Sequence, residues 1–152
     1  MFTKCKFNAN GTFNKWKARL AARGDQQESK IFQTETSSPT ANMASINMLL
    51  DHGVQEEYDM FTSDVPGAYL HADINEVVVL RLPRSCATIW LELNGIPGES
   101  YDIYMIDGYV YVILGKALYG LVQSSYLWFQ NIKKTLEDMG FIAAIHDPCI
   151  YY

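Results

Sequence analysis

The spacing of hydrophobic and polar positions changes character several times along the chain. Residues 5–7 and 15–22 are strand-like segments flanking Asn10-Gly11, and Asn-Gly between such segments is a strong short-range mark of a hairpin. Residues 26–39 are polar apart from Ile31 and Phe32 and read as a connection. From Thr40 the apolar residues Met43, Ile46, Leu49 and Leu50 recur at helical spacing. With Thr40 as cap and Gly53 as stop, this predicts a short amphipathic helix. Residues 58–65 and 76–82 are rich in aromatic and β-branched side chains and predict strands, separated by Pro66-Gly67 and a polar stretch. Further strands are expected at 88–93 and 109–114. The clearest helical period belongs to Ser125, Trp128, Phe129, Ile132, Leu136 and Met139, closed by Gly140. Asp147-Pro148 then breaks the chain before a last strand start at 149–152.

Strands and helices alternate without a regular βαβ rhythm, so the expected class is α+β. At 152 residues and 49% hydrophobic, the chain can bury one core. One domain or part of one is expected over 1–152, with a basic hairpin and connection to about residue 40 and the remainder from 41 to 152. No run of 18 apolar residues and no apolar leader occurs, so a soluble, intracellular protein with no membrane partner is expected. Three widely separated cysteines, Cys5, Cys86 and Cys149, support neither a disulfide framework nor a zinc site.

Charge changes this picture. The net charge is -5, yet seven of the 12 Lys and Arg residues fall within positions 1–30 against two acids there, Asp25 and Glu28. That segment is +5 and the rest -10. A basic arm on an acidic body suits a protein that meets phosphate with one element and metal ions with another, although a solvated charged face is the plainer explanation from charge alone.

Asp64 follows an apolar strand candidate and precedes Val65-Pro66-Gly67-Ala68-Tyr69, a place where metal-binding acids often sit. Taken alone, an aspartate before Pro-Gly is more often a turn former. Its company changes the weighing. Lys17-Ala18-Arg19-Leu20-Ala21-Ala22-Arg23-Gly24-Asp25-Gln26-Gln27 resembles the K-A-R-L-V-A-R-G-x-x-Q segment of copia-type retrotransposon reverse transcriptases. Ser38-Pro39 with Ser45-Ile46-x-x-Leu49-Leu50 resembles that family's S-P…S-I-R-x-L-L. Asp64-Val65-x-x-Ala68-Tyr69-Leu70-x-x-Asp73-Ile74-x-Glu76 is similar to its first catalytic motif. Leu118-Tyr119-Gly120-Leu121-x-Gln123 is similar to L-Y-G-L-K-Q, and Asp147-Pro148-Cys149-Ile150-Tyr151 to D-P-C-L-Y. Five blocks stand in the family's order and cover nearly the whole chain.

The resemblance implies part of a right-hand polymerase, fingers and part of the palm, with mixed or antiparallel palm strands, two main helices and Asp64 near the end of a palm strand. The implied activity is RNA-directed DNA synthesis by two-metal nucleotidyl transfer, with Mg²⁺ as cofactor. Asp64 would be the catalytic carboxylate and, with the Val65 carbonyl, a metal ligand. Val65, Ala68, Tyr69 and Gln123 would line the nucleotide, Tyr69 as the steric gate against a ribose 2′-hydroxyl. Lys17, Arg19 and Arg23 would meet triphosphate or template phosphates. Implied partners are an RNA or DNA template-primer, deoxynucleotides and the remainder of a polyprotein, namely the rest of the palm, the thumb and an RNase H. The implied location is the cytoplasm, in a virus-like particle, or the nucleus.

Departures from the pattern matter as well. After Gln123 the family's A-P-R is replaced by Ser124-Ser125-Tyr126, and the preceding lysine by Val122, both removing positive charge. The Y-x-D-D box, with two further metal-site aspartates, is expected after the strand starting at Cys149 and does not occur in these residues. Tyr104-Met105-Ile106-Asp107 carries one acid and precedes L-Y-G-L, so it is not that box. The chain alone is therefore expected to be inactive, and a non-catalytic relic or co-opted RNA- or protein-binding module is the alternative. His71 and Asp73 read as loop residues, and Trp16, Trp90 and Trp128 read as core before stacking platforms.

Overall fold

A computed structural model describes residues 1–27 and 36–152; most of the expected polar connection, residues 28–35, lies outside the described residues. The first alternating stretch closes on itself: β1 (Phe2–Phe7) pairs antiparallel with β2 (Phe13–Arg19). The turn is made by Asn10-Gly11, where Gly11 takes φ 81, a conformation glycine reaches without a Cβ penalty. β2 stops at Arg19, short of the expected residue 22. Beyond it the backbone changes partner, and the Ala22 N–H donates to the Tyr119 carbonyl at 2.7 Å.

The predicted helix at Thr40 forms as α1 (Met43–Gln55). Its cap is Asn42, whose Oδ1 accepts from the Ala44 N–H at 2.9 Å, and not Thr40. Gly53 does not stop the helix but lies buried in its last turn. The chain folds back over it there, with Tyr58 N–H donating to Gly53 O at 2.8 Å and Met60 packed against the glycine. The apolar side chains Met43, Met48, Leu49, Leu50 and Val54 of this helix are exposed.

The strand expected at 58–65 is absent. A strand exists through its ladder, and among the described residues the only backbone bond of this segment is the local one from Tyr58 N–H to Gly53 O, so it runs exposed and irregular to Pro66. Asp64 therefore sits in a loop and not at a strand end. The strands expected at 76–82 and 109–114 are present as β3 (Val79–Pro83) and β4 (Tyr109–Ile113), an antiparallel pair. The strand expected at 88–93 is instead the second half of a helix, α2 (Arg84–Leu93). Ala87 and Leu91 stand four residues apart and are fully buried, so a helical face outweighs the strand preference of Thr88 and Ile89. Leu82, Ala87, Leu91 and Val110 form one buried cluster, walled by Ile96, Tyr101 and Met105, and Val78, Leu118 and Leu121 form a second.

The long periodic segment folds as α3 (Ser124–Asp138), and Gly140 at φ 95 ends it as expected. Among the described residues there are three α-helices and not two, the addition being α2. Residues 149–152 form no full strand but a bridge, Ala143 opposite Tyr151. Both sheets are two-stranded and antiparallel, and the class is α+β. Among the described residues no helix is long and apolar enough to cross a membrane.

Candidate functional site

The first and fourth sequence blocks meet backbone to backbone. A Cβ on Gly24 would collide with the Gly120 carbonyl, and one on Gly120, at φ 90, with the Ala22 carbonyl. Both positions therefore require glycine for approach, and Gly120 also for its dihedral. A second tie lies beside this contact. Val122 N–H donates to Gln27 Oε1 at 3.3 Å, and Gln27 Nε2 donates to Gln123 Oε1 at 2.8 Å. Gln123 is only 2% exposed, so its amide belongs to the interior of this joint. Ser124, which stands where the family has an alanine, donates its buried hydroxyl to Leu118 O at 2.6 Å and closes the turn before α3.

Tyr119, next to Gly120 in the chain, leads from the joint to a cleft of about 260 Å³ that Lys17, Arg19, Gly67, Leu70, Leu118 and Tyr119 line. Gly67 takes φ 65, which lets Pro66-Gly67 turn the chain into the short 3₁₀ stretch Ala68–His71. That stretch packs on α3 and carries Ala68 and Tyr69, both half-buried. The Tyr69 and Tyr119 rings lie 4.6 Å apart, and the Arg19 guanidinium lies 5.8 Å over Tyr119. Both distances fall within the ranges for ring pairs and cation–π contacts. Blocks one, three and four thus share one cleft.

Asp64 and Val65 are exposed where the chain enters Pro66. The Lys17 ammonium is held below its ordinary pKa, first by Arg19, then by Lys6, burial and Lys15, while Asp64 acts in the opposite sense. Asp64 is thus within electrostatic reach of the hairpin. Arg23 points elsewhere, in a two-bond pair with Asp25 at 2.7 and 3.3 Å. That pair raises the Arg23 pKa and lowers that of Asp25, chiefly through the hydrogen bond. Asp73 pairs with Lys116 at 2.6 Å, and His71 lies beside Pro66 O and the Trp128 ring, so both serve the loop. Trp16 is exposed on the hairpin and not in the core.

No group of three or more His, Cys, Asp or Glu residues able to hold a metal ion occurs among the described residues. Asp64 brings one carboxylate and Val65 one carbonyl. This donor set falls short of what two octahedral Mg²⁺ ions require, so the residues present do not by themselves fit the pair.

Several residues that hold the site together lay outside the sequence expectations. Gln27, Gly24 and Gly120 stand within the quoted blocks, where a polar or glycine position first suggests a ligand. Asp147 is another: its carboxylate accepts from Asn42 N–H at 2.8 Å and from Cys149 N–H at 3.0 Å. These two bonds and a third from the Ser45 side chain hold its pKa below the usual carboxylate range. Block five is thereby tied to block two at the start of α1.

The chain spans about a tenth of the length of the curated relatives it matches. It is 29% identical over 151 residues to the Retrovirus-related Pol polyprotein from transposon RE2 of Arabidopsis thaliana, covering 99% of this chain and 9% of that protein. It is 28% identical over 151 residues to the corresponding RE1 polyprotein of the same plant, with the same coverage. To the polyprotein from transposon TNT 1-94 of Nicotiana tabacum it is 24% identical over 149 residues, 98% of this chain and 10% of that one. No solved structure matches it. The family described as Reverse transcriptase (RNA-dependent DNA polymerase) matches residues 1–152, and the chain belongs to that family, among the copia-type Pol polyproteins.

Proposed function

We propose that this chain supplies part of the nucleotide and template cleft of an RNA-directed DNA polymerase within a longer Pol polyprotein, and that it does not polymerise by itself. The observation that carries the reading is the meeting of Lys17 and Arg19, the Gly67–Leu70 turn and Tyr119 around one cleft. Cations there would meet triphosphate or template phosphates, and the half-buried Tyr69, braced by Tyr119, would stand as the steric gate beside Ala68 and Val65. Gln123 would act from outside the cleft, by holding the joint beside Tyr119. Asp64 would be the catalytic carboxylate and, with the Val65 carbonyl, would contribute to Mg²⁺ binding once further carboxylates of the polyprotein are present. Partners on this reading are an RNA or DNA template-primer and the remainder of the polymerase.

The test is template-primer extension by the purified 152-residue chain. No extension is expected. Extension that disappears in Asp64→Asn would overturn the inactivity, and salt-insensitive or absent RNA binding would remove the cleft reading.

A non-catalytic binding module is the second reading. Its support is local: Val122 carries no charge where the family has a lysine, and the Ser124 hydroxyl, where the family has an alanine, is turned inward onto Leu118 O. Joining this chain to the remaining palm of a related polymerase separates the two readings, since only the first predicts restored extension.

A further inference from the structure

The hairpin has two unlike faces. Directly opposed residues of an antiparallel pair share a face. The pairings Phe2 with Arg19, Lys4 with Lys17 and Lys6 with Lys15 therefore put Lys4, Lys6, Lys15, Lys17 and Arg19 on one side. The opposite side carries Cys5 across from Trp16 and, past a bulge, Phe7 across from Phe13. Those rings touch in series, at 6.4 Å from Phe7 to Phe13 and 6.2 Å from Phe13 to Trp16. Neither strand contains an Asp or Glu.

Like charges directly opposite each other destabilise a strand pair, and a lone two-stranded hairpin is marginal to begin with. Two successive Lys–Lys pairs are thus a cost that folding alone does not require. The cations act on one another, since the Lys17 pKa is lowered first by Arg19 and Lys6, then by burial and Lys15. The face also leads to a defined place. Lys17 and Arg19, at its inner end, line the cleft in which the Arg19 guanidinium covers the Tyr119 ring and that ring meets Tyr69.

We propose that this face is a track for the phosphates of one nucleic-acid strand, in which the Lys6/Lys15 and Lys4/Lys17 pairs hold the backbone and Arg19 passes it to the Tyr119–Tyr69 ring pair. The inference rests on the polymerase reading and deepens it. It adds Lys4, Lys6 and Lys15 to the phosphate-binding residues and leaves out Arg23, whose guanidinium is engaged by Asp25. Ammonium groups neutralise phosphates without regard to sequence, which is what a template requires, and an unstacked base can lie on an aromatic face whatever its identity. The remainder of the chain, at -10 beyond residue 30, repels a polyanion and confines it to the hairpin.

The test is fluorescence anisotropy of a labelled single-stranded RNA oligonucleotide titrated with the 152-residue chain at several salt concentrations. Neutralising five phosphates gives a slope of log affinity against log salt of about -3.5. The triple variant Lys4→Gln, Lys6→Gln, Lys15→Gln is expected to flatten that slope by about 2 while raising the melting temperature, because it removes both like-charge pairs. Arg23→Gln should leave the slope unchanged. If the triple variant keeps the wild-type slope while Lys17→Gln with Arg19→Gln weakens binding, the track is overturned and the cleft reading stands. If the wild-type chain shows no salt-dependent binding, both fall. Competition by polyglutamate as strong as that by unlabelled RNA would also overturn the track, by showing an anion patch suited to acidic protein.

Discussion

The joint at Gly24 and Gly120 and the loop at Asp64 belong to one family pattern and are built in opposite ways. At the joint two backbones approach so closely that neither glycine has room for a Cβ, and the Gln123 amide beside them is buried against Gln27. At Asp64 the chain is exposed, Phe61 three residues earlier is 90% accessible, and no hydrogen bond fixes the carboxylate among the described residues. A family block therefore mixes two kinds of residue. Some are consumed in holding elements together, and others are left open to meet a ligand. Burial and hydrogen bonding separate them, where the motif alone does not.

The largest expected effect tests the joint. Gly120→Ala must move the Ala22 backbone and hold alanine at φ 90, so a loss of roughly 3 kcal/mol or more is expected in urea unfolding. Gly95→Ala is the control. Gly95 has a similar φ of 75 but open space around its Cβ position, so only the dihedral penalty of about 1 kcal/mol should appear. Equal losses at the two sites would break the contrast, by showing that close approach contributes nothing.

Gln27→Ala should cost less, about 1–3 kcal/mol, because it strands the buried Gln123 oxygen and the Val122 N–H while leaving the backbone contact in place. The same urea series measures it. A change below about 0.5 kcal/mol, the range of an ordinary surface substitution, would place Gln27 with the open residues instead.

How much of this was legible in the sequence follows from the same division. The hairpin, α1, the β3–β4 pair and α3 could be read because period, turn residues and stops agree locally. At 58–65 and 88–93 the sequence misleads, because β-branched and aromatic content is a local signal, whereas a strand is decided by its partner. At 88–93 a helical face made by Ala87 and Leu91 prevails, and at 58–65 no strand among the described residues pairs with the chain. The cleft was legible as a set of blocks, since Lys17, Arg19, Tyr69 and Tyr119 do come together. The roles of Gln27, Gly24 and Asp147 were not, because each depends on contacts with residues about a hundred positions away.

Asp147 extends the comparison to block five and gives it a pH dependence. Its folded pKa is depressed by hydrogen bonds from Asn42 and Cys149 and then Ser45, so the stability it contributes is present above the unfolded value, about 3.9. That contribution is lost as pH falls from there through the folded pKa. Asp147→Asn should therefore be less stable than wild type at pH 7, with the gap closing in unfolding curves recorded below about pH 3. A gap that stays constant across that window would show that the carboxylate charge is not what ties block five to α1.

The smallest effect on folding is expected at the residue with the largest chemical claim. Asp64→Asn removes a charge from an exposed loop and breaks no hydrogen bond among the described residues, so its unfolding free energy should lie within about 0.5 kcal/mol of wild type. It should still be visible from the hairpin. Among the described residues Asp64 is the one influence raising the Lys17 pKa, so its removal should lower that value further, measurable by NMR titration of the Lys17 side chain. The sign carries the argument: an unchanged Lys17 would mean that the loop does not face the basic track, and the carboxylate and the cations would then no longer belong to one cleft. A lowered Lys17 with unchanged stability is the pattern required of a residue kept for a ligand, since a side chain that contributes nothing to the fold is free to be placed for chemistry.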